Sequence, residues 1–374
     1  MIYLDSAATT APSEKCAAAV SRAMSEYWGN PSSLHAAGLA AQELLERSRS
    51  IVADSLGAAP EEVFFAPSGT AAANTAIFGA LRKNRGVAVV TSSIEHPCTV
   101  EPVARLEREG ARVVRLRYAE HGFDLSEFED AVDADTALVT VMYVNNELGT
   151  ILPVEKLRGI LDRKNSRALL HIDAVQAFGK LPFCAPKLGA DLLSVSAHKV
   201  HGPRGVGALY VRKGLRIPAL LLGGGQENGM FSGTENLPAA AGFAAAVSGF
   251  GDLRAKLGRA AELKKRLVSD LSAIEGLVIN SPPDALPYIV SLSVPGIPSE
   301  VMVNALSEKG ICVSAGSACH RGRRSDVLTA AGLPPELIDS ALRVSTDADT
   351  TEKELDVFAA ELEAIVARVR RRGK

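Results

Sequence analysis

The chain has 374 residues, 47% hydrophobic and 22% charged, with a formal net charge of -2. This is the make-up of a soluble globular protein with a large core, and no overall field calls for nucleic acid or an acidic membrane surface. Five cysteines, an odd number without a C-x-x-C pair, argue against a disulfide framework or a structural zinc site and for a reducing, cytoplasmic setting.

Residues 1–10 begin as a short apolar strand and continue into Asp5-Ser6-Ala7-Ala8-Thr9-Thr10. Asp5 interrupts that first apolar run and no basic region precedes it, so neither a signal peptide nor a membrane span is expected. The small residues let backbone approach a ligand closely; taken alone they also read as a plain turn. An alanine-rich helix is expected over 12–27, a break at Gly29-Asn30-Pro31-Ser32-Ser33, and a second helix over 34–56. After the apolar run 63–65, Pro67-Ser68-Gly69-Thr70 opens another alanine-rich helix. Exposed N–H groups and the helix dipole suit such a start to a phosphate. Without a ligand it is an N-capping turn, and no Gly-Lys-Ser/Thr follows to make a Walker A loop.

Short β-rich runs follow at 87–91, 112–116, 137–144, 168–172 and 191–195, with helical stretches at 99–109, 125–132 and 154–164 between several of them. This alternation predicts an α/β fold with a mostly parallel sheet and helices on its faces. Ligands bind beyond the carboxyl ends of such strands. Those ends gather His96, Asn146, Asp173, Gln176, Ser196, His198 and Lys199 on one edge, and a further apolar run at 205–211 follows the lysine. Each residue has an ordinary reading: a core histidine, an Asx-turn, a helix cap, a surface lysine. Together, beside an anion-binding helix start, they read as one site. A lysine walled by apolar strands can form an imine, since burial disfavours its ammonium form. A carboxylate can hold a ring nitrogen protonated, a flat imidazole can stack, and the helix start can take a phosphate. Pyridoxal phosphate matches all four parts. No G-x-G-x-x-G follows the first strand, and the histidines are too scattered to make a metal site.

These motifs resemble those of the cysteine desulfurases, in the class V aminotransferase family, over nearly the whole chain. The segment 3–10 resembles Y-L-D-N-A-A-T-T with Ser6 for Asn, and 29–38 matches G-N-P-S-S-x-H-x-x-G. Glu95-His96, 144–150 (V-N-N-E-x-G-T), 171–176 (H-x-D-A-x-Q) and 196–205 (S-x-H-K-x-x-G-P-x-G) match in turn. In the second half, Ser314-Ala315-Gly316-Ser317-Ala318-Cys319 resembles S-x-G-S-A-C, and Ala341-Leu342-Arg343-Val344-Ser345 resembles A-x-R-x-S.

The resemblance implies a fold type I enzyme that binds pyridoxal 5'-phosphate and removes sulfur from L-cysteine. Lys199 would hold the cofactor and later move the Cα proton, and His96 would stack on its ring. Asp173 would pair with the ring nitrogen and Gln176 would contact the ring oxygen. Gly69, Thr70, Ser196 and His198 would hold the phosphate, joined by Thr234 from a second subunit of a homodimer. Asn146 and Arg343 would hold the substrate carboxylate. Cys319 would take the sulfur as a persulfide, its thiolate favoured by Arg321, Arg323 and Arg324, and pass it to an acceptor protein. Cys16, Cys98, Cys184 and Cys312 read as inert. A related selenocysteine lyase or transaminase and a low-turnover cofactor-binding protein are the alternatives.

The chain departs from the pattern at Phe231 and Asn228, where arginine is usual, and at Ala71, where Glu is usual. These changes spare the catalytic set and bear on acceptor choice. A large cofactor-binding domain is expected over 13–251. A small α+β domain would combine 1–12 with 252–374, carrying strands near 287–294 and 310–314 and ending in a frayed basic tail.

Overall fold

The computed structural model describes residues 1–83, 87–119, 122–315 and 324–372. In chain order the first elements are β1 (Ile2–Tyr3), α1 (Glu14–Glu26), α2 (Ala36–Leu56), β2 (Val63–Ala66), α3 (Gly69–Lys83), β3 (Ala88–Ser92), α4 (Pro97–Arg108), β4 (Arg112–Leu116), α5 (Leu125–Ala131), β5 (Thr136–Met142), α6 (Leu157–Arg163), β6 (Leu169–Asp173), β7 (Leu192–Ser196) and β8 (Gly207–Val211). There follow α7 (Leu237–Val247), α8 (Leu253–Ser272), β9 (Val278–Ile279), β10 (Ile289–Ser293), α9 (Ser299–Glu308), β11 (Ile311–Cys312), β12 (Ser314–Ala315), α10 (Asp326–Ala330), α11 (Pro335–Asp339), β13 (Ala341–Ser345) and α12 (Glu352–Arg372).

Seven strands form one sheet in the order β2-β8-β7-β6-β5-β3-β4. The run from β4 to β7 is parallel, and β8 is antiparallel to both β7 and β2. This is the mostly parallel sheet expected from the sequence. Every residue of β5, β6, β7 and β8 is buried. Strands covered on both faces need no polar side, which is why they read as continuous apolar runs. Each aliphatic side chain so buried contributes about 1.5–3 kcal/mol. The alanines of α3 let that helix lie close to the sheet: Ala72, Ala73, Ala76 and Ala80 have no exposed surface.

A second sheet, β12-β13-β10-β9, is antiparallel throughout. The N-terminal strand joins this part of the molecule, β1 pairing in parallel with β11 and Asp5 bridging to Ser345. Leu4 accordingly packs in an apolar cluster with Leu263, Leu292, Phe358 and Leu362, separate from the clusters of the large sheet. Helix α12 runs to Arg372, and Arg370 Nη1 donates to the Glu275 carbonyl at 2.5 Å.

Candidate active site

The carboxyl ends of β3, β5, β6 and β7, the start of α3 and the turn at Ala7 and Ala8 enclose a cavity of about 330 Å³. Of the residues singled out from the sequence, Gly69, Thr70, His96, Asn146, Asp173, Gln176, Ser196, His198, Lys199 and Arg343 all line it. Thr234 does not line the cavity and is exposed. Cys319, with Arg321 and Arg323, lies outside the described residues. Arg324 lines the cavity and pairs through two bonds with Asp339, at 2.7 and 2.8 Å, so its charge is already shared.

Lys199 closes the short turn Ala197–Lys199 directly after β7. Its Nζ donates to the carbonyls of Ala7 and Ala8, at 2.7 and 2.8 Å. The small residues of the N-terminal turn therefore bring backbone oxygens to the lysine. Asp173 ends β6; its Oδ1 accepts the Val175 N–H at 3.0 Å and its Oδ2 accepts the Cys98 thiol at 3.3 Å. His96 caps α4, its Nδ1 accepting the Cys98 N–H at 3.1 Å, which leaves the proton of the neutral ring on Nε2. Burial holds His96 below its usual range, against the pull of Asp173 and with the help of Lys199. Burial, with Lys199 and Arg204 nearby, pushes His198 down to about 4, and its Nδ1 meets Thr9 Oγ1 at 3.1 Å. Glu95, between strand end and helix cap, is pushed up to about 8 by burial, against hydrogen bonds from Ser92 and the Met142 N–H. A protonated Glu95 adds no negative charge beside Asp173.

Helix α3 offers the N–H groups of its first turn, since the first residues of a helix have no partner within it. Ser68 takes two of them, its Oγ accepting from Ala71 and its carbonyl from Ala72. A Cβ on Gly69 would stand 3.0 Å from Ser196 Cβ and 3.1 Å from Val175 Cγ2, so any larger residue would push these side chains aside by a few tenths of an ångström.

The opposite wall holds Arg343, which lies on β13 of the second sheet. Its Nη1 donates to the Asn146 carbonyl at 3.0 Å and its Nη2 to Asp5 Oδ1 at 2.9 Å. Asp5 also accepts Ser314 Oγ at 2.8 Å. Arg343 Nε and Asn146 Oδ1 are buried without partners among the described residues. Unsatisfied buried polar atoms each cost about 1–3 kcal/mol, so they point to a polar ligand. A carboxylate fits once the Asn146 amide is turned to present its nitrogen, which the near-identity of its two ends allows. Glu147, on the same turn, accepts Ser325 Oγ at 2.6 Å and is pushed up to about 7 by burial, opposed by Ser325 and Arg343.

Several contributors were not singled out in the sequence. Cys98, read as inert, is buried and pushed well above the usual thiol range by burial and by Asp173, yet its S–H reaches the Asp173 carboxylate. Lys180 Nζ donates to Gln176 Oε1 at 2.8 Å. Asp5, part of a recognised motif but given no role, anchors Arg343 from 338 residues away. Two of the departures lie elsewhere: Phe231 is buried among Leu209, Ile217 and Met230, and Asn228 adopts φ 52° beside Glu227 at φ 51°.

An α/β sheet carrying a lysine, a carboxylate and a helix start on one edge is the arrangement of a cofactor-dependent lysine enzyme. The chain matches the class-V aminotransferase family over residues 2–358. It is 38% identical to Cysteine desulfurase 2 of Trichormus variabilis over 378 aligned residues, 99% of this chain and 94% of that protein. A solved NifS-like protein superimposes with a TM-score of 0.92 at 37% identity, covering 98% of this chain and 99% of that one. A structure described as SspA in complex with cysteine superimposes with a TM-score of 0.82 at 31% identity, covering 94% and 100%. The chain belongs to the class-V aminotransferase family, whose members depend on pyridoxal phosphate, and it has the fold type I architecture of the NifS-like enzymes.

Proposed function

We propose that the protein is a cysteine desulfurase that binds pyridoxal phosphate at the sheet edge, takes sulfur from L-cysteine, releases L-alanine and holds the sulfur as a persulfide on Cys319. The observation that carries this reading is the convergence of Lys199, Asp173, His96 and the α3 start on one cavity, in a chain whose relatives over its length are cysteine desulfurases. The donor set fits the cofactor: the start of α3 and the hydroxyls of Thr70 and Ser196 line the cavity where a phosphate would bind, and Arg343 Nε and Asn146 Oδ1, without partners among the described residues, suit a carboxylate.

When bound, pyridoxal phosphate supplies an electron sink for the charge left at the substrate Cα. Lys199 holds the cofactor and moves the Cα proton. Asp173 keeps the ring nitrogen protonated, the neutral His96 ring stacks, and Gln176 donates to the ring oxygen. Gly69, Thr70, Ser196 and His198 hold the phosphate. Arg343 and Asn146 orient the substrate carboxylate. The Cys319 thiolate attacks the substrate sulfur: an S–S bond forms, the carbon–sulfur bond breaks, and the electron pair goes to the carbon skeleton. A proton then replaces the sulfur there, so cysteine and thiol become alanine and persulfide. Because this chemistry needs a free thiol, a reducing, cytoplasmic setting suits it.

The exposed position of Thr234 supports a homodimer in which each subunit completes the other's phosphate site. Two domains, 13–251 and 1–12 with 252–374, accord with the separate cluster around Leu4 and Phe358. The persulfide sulfur passes to an acceptor protein, such as an iron–sulfur scaffold or a tRNA-thiolation enzyme. The test is incubation with L-cysteine, with alanine and protein persulfide measured together. Both should appear, and sedimentation with parallel assay should find the activity in a dimer. A keto acid in place of alanine would make the protein a transaminase, and activity only with selenocysteine would make it a lyase for that substrate.

A further inference from the structure

Lys180 is a buried cation that the reaction described above does not use. It is 7% exposed, in the turn that follows β6, and its hydrogen-bond partner is the neutral amide of Gln176. Burying an ammonium costs several kcal/mol unless its protons are well placed. Burial, then Lys199 and Arg343, push it down to about 7, with Asp347 opposing. Two cations and one carboxylate thus act on it, and it in turn helps lower His198. A methionine or leucine would fill this space more cheaply, so its place beside Gln176 calls for a reason.

The hydrogen bonds form one line. Lys180 Nζ donates to Gln176 Oε1 at 2.8 Å, and Gln176 Nε2 donates to the Ala7 carbonyl at 2.8 Å. The same carbonyl accepts from Lys199 Nζ at 2.7 Å. An amide presents a donor at one end and an acceptor at the other, and the two ends are nearly the same shape. At and below neutral pH, where Lys180 carries its proton, the ammonium has no acceptor, so it bonds only to the oxygen. With Oε1 held by Lys180, the NH₂ group must face the cavity, where one proton goes to Ala7 and the second is left for a ligand.

We propose that Lys180 is a positioning residue that fixes the polarity of the Gln176 amide, so that the site presents an N–H donor and never a carbonyl to the ring oxygen of the cofactor. The proposal rests on the pyridoxal-phosphate reading. A donor at the ring oxygen stabilises its anionic form and makes the neighbouring nitrogen less basic. Without Lys180 the amide keeps only its bond to the Ala7 carbonyl, which Lys199 also serves, and a turned amide would set its own carbonyl against that oxygen.

The test is a pH titration of the visible absorbance of the loaded protein. Lys180→Met should raise the midpoint of the transition by about one pH unit, a tenfold change in the proton equilibrium, and should weaken cofactor affinity. Lys180→Arg, which keeps a cation without an acceptor, should restore the wild-type midpoint. In a Gln176→Ala background, Lys180→Met should add almost no shift. A full shift in that background would show that Lys180 acts through its charge alone and overturn the proposal. So would an unchanged midpoint in Lys180→Met, or a variant Lys180→Arg that behaves like Lys180→Met. Should Lys180→Met fail to fold, Lys180→Arg and Gln176→Ala still decide the matter, because Lys180→Arg must match the wild-type midpoint while Gln176→Ala, which removes the donor itself, must lie above it. Wild-type protein that takes up no pyridoxal phosphate would overturn the cofactor reading itself, a result distinct from a loaded protein with an unshifted midpoint.

Discussion

Replacing Arg343 by lysine tests how the substrate is held. The guanidinium spends Nη1 on the Asn146 carbonyl and Nη2 on Asp5, at 3.0 and 2.9 Å, and keeps Nε buried and unpartnered. Its planar fork joins the Asn146 turn to Asp5 and leaves Nε for a ligand. A lysine has one compact ammonium on a flexible stem and cannot reproduce that arrangement. Asp5 would keep its bond from Ser314, at 2.8 Å, so the local fold should survive. What is lost is a charge-assisted hydrogen bond to the substrate carboxylate, about 1.5–3 kcal/mol. At about 1.4 kcal/mol per factor of ten, KM for L-cysteine should rise roughly 10- to 100-fold. The visible absorbance of the bound cofactor should stay as in the parent protein, because the role proposed for Arg343 is to hold the substrate carboxylate. Alanine production against cysteine concentration reads the effect. An unchanged KM, or a loss of cofactor absorbance with KM intact, would refute the assignment of Arg343 to the carboxylate.

Three further outcomes are expected. Lys199→Ala should abolish the visible absorbance of the lysine-linked cofactor, read by spectrophotometry after loading; an unaltered spectrum would put the linkage on another residue. Glu227→Gln should lower the urea midpoint, by less than the roughly 3–5 kcal/mol of a fully broken buried pair, because Arg49 loses its buried carboxylate but keeps Glu46 at 3.3 Å, and the glutamine oxygen can still accept the Phe65 N–H. Burial pushes His171 down to about 4 from its usual 6.5, so below pH 6.5 the unfolded chain binds a proton that the native one does not. Stability should therefore fall as pH drops from 6.5 toward 4, by about 1.4 kcal/mol per pH unit from this group, and His171→Asn should flatten that slope.

The sheet was legible because strands buried on both faces are written as unbroken apolar runs. The expected strand at 112–116 coincides with β4, and the others agree within a residue or two. The site followed from reading what stands after each run, since a parallel sheet brings its carboxyl ends together. What lay hidden were contacts made by groups with an everyday local reading. Gly179-Lys180 looks like a turn followed by a surface lysine; only the fold shows that the side chain points inward to Gln176. Cys98 looks like one more buried thiol until β6 carries Asp173 to it. The link from Asp5 to Arg343 joins the two ends of the chain, and no periodicity encodes such a pairing. The buried pair of Arg49 and Glu227 is equally silent, because each residue alone reads as a solvated charge on a helix or loop.

The most direct test of the account is sulfur transfer itself. Wild-type protein loaded with pyridoxal phosphate and given L-cysteine should form alanine and a persulfide on Cys319 in equal amounts in a single turnover without acceptor. Cys319→Ala should keep the cofactor absorbance and its response to cysteine, yet form almost no alanine and no persulfide. If Cys319→Ala releases alanine as fast as the parent protein, the sulfur does not pass through this thiol, and the desulfurase mechanism proposed for the chain is wrong.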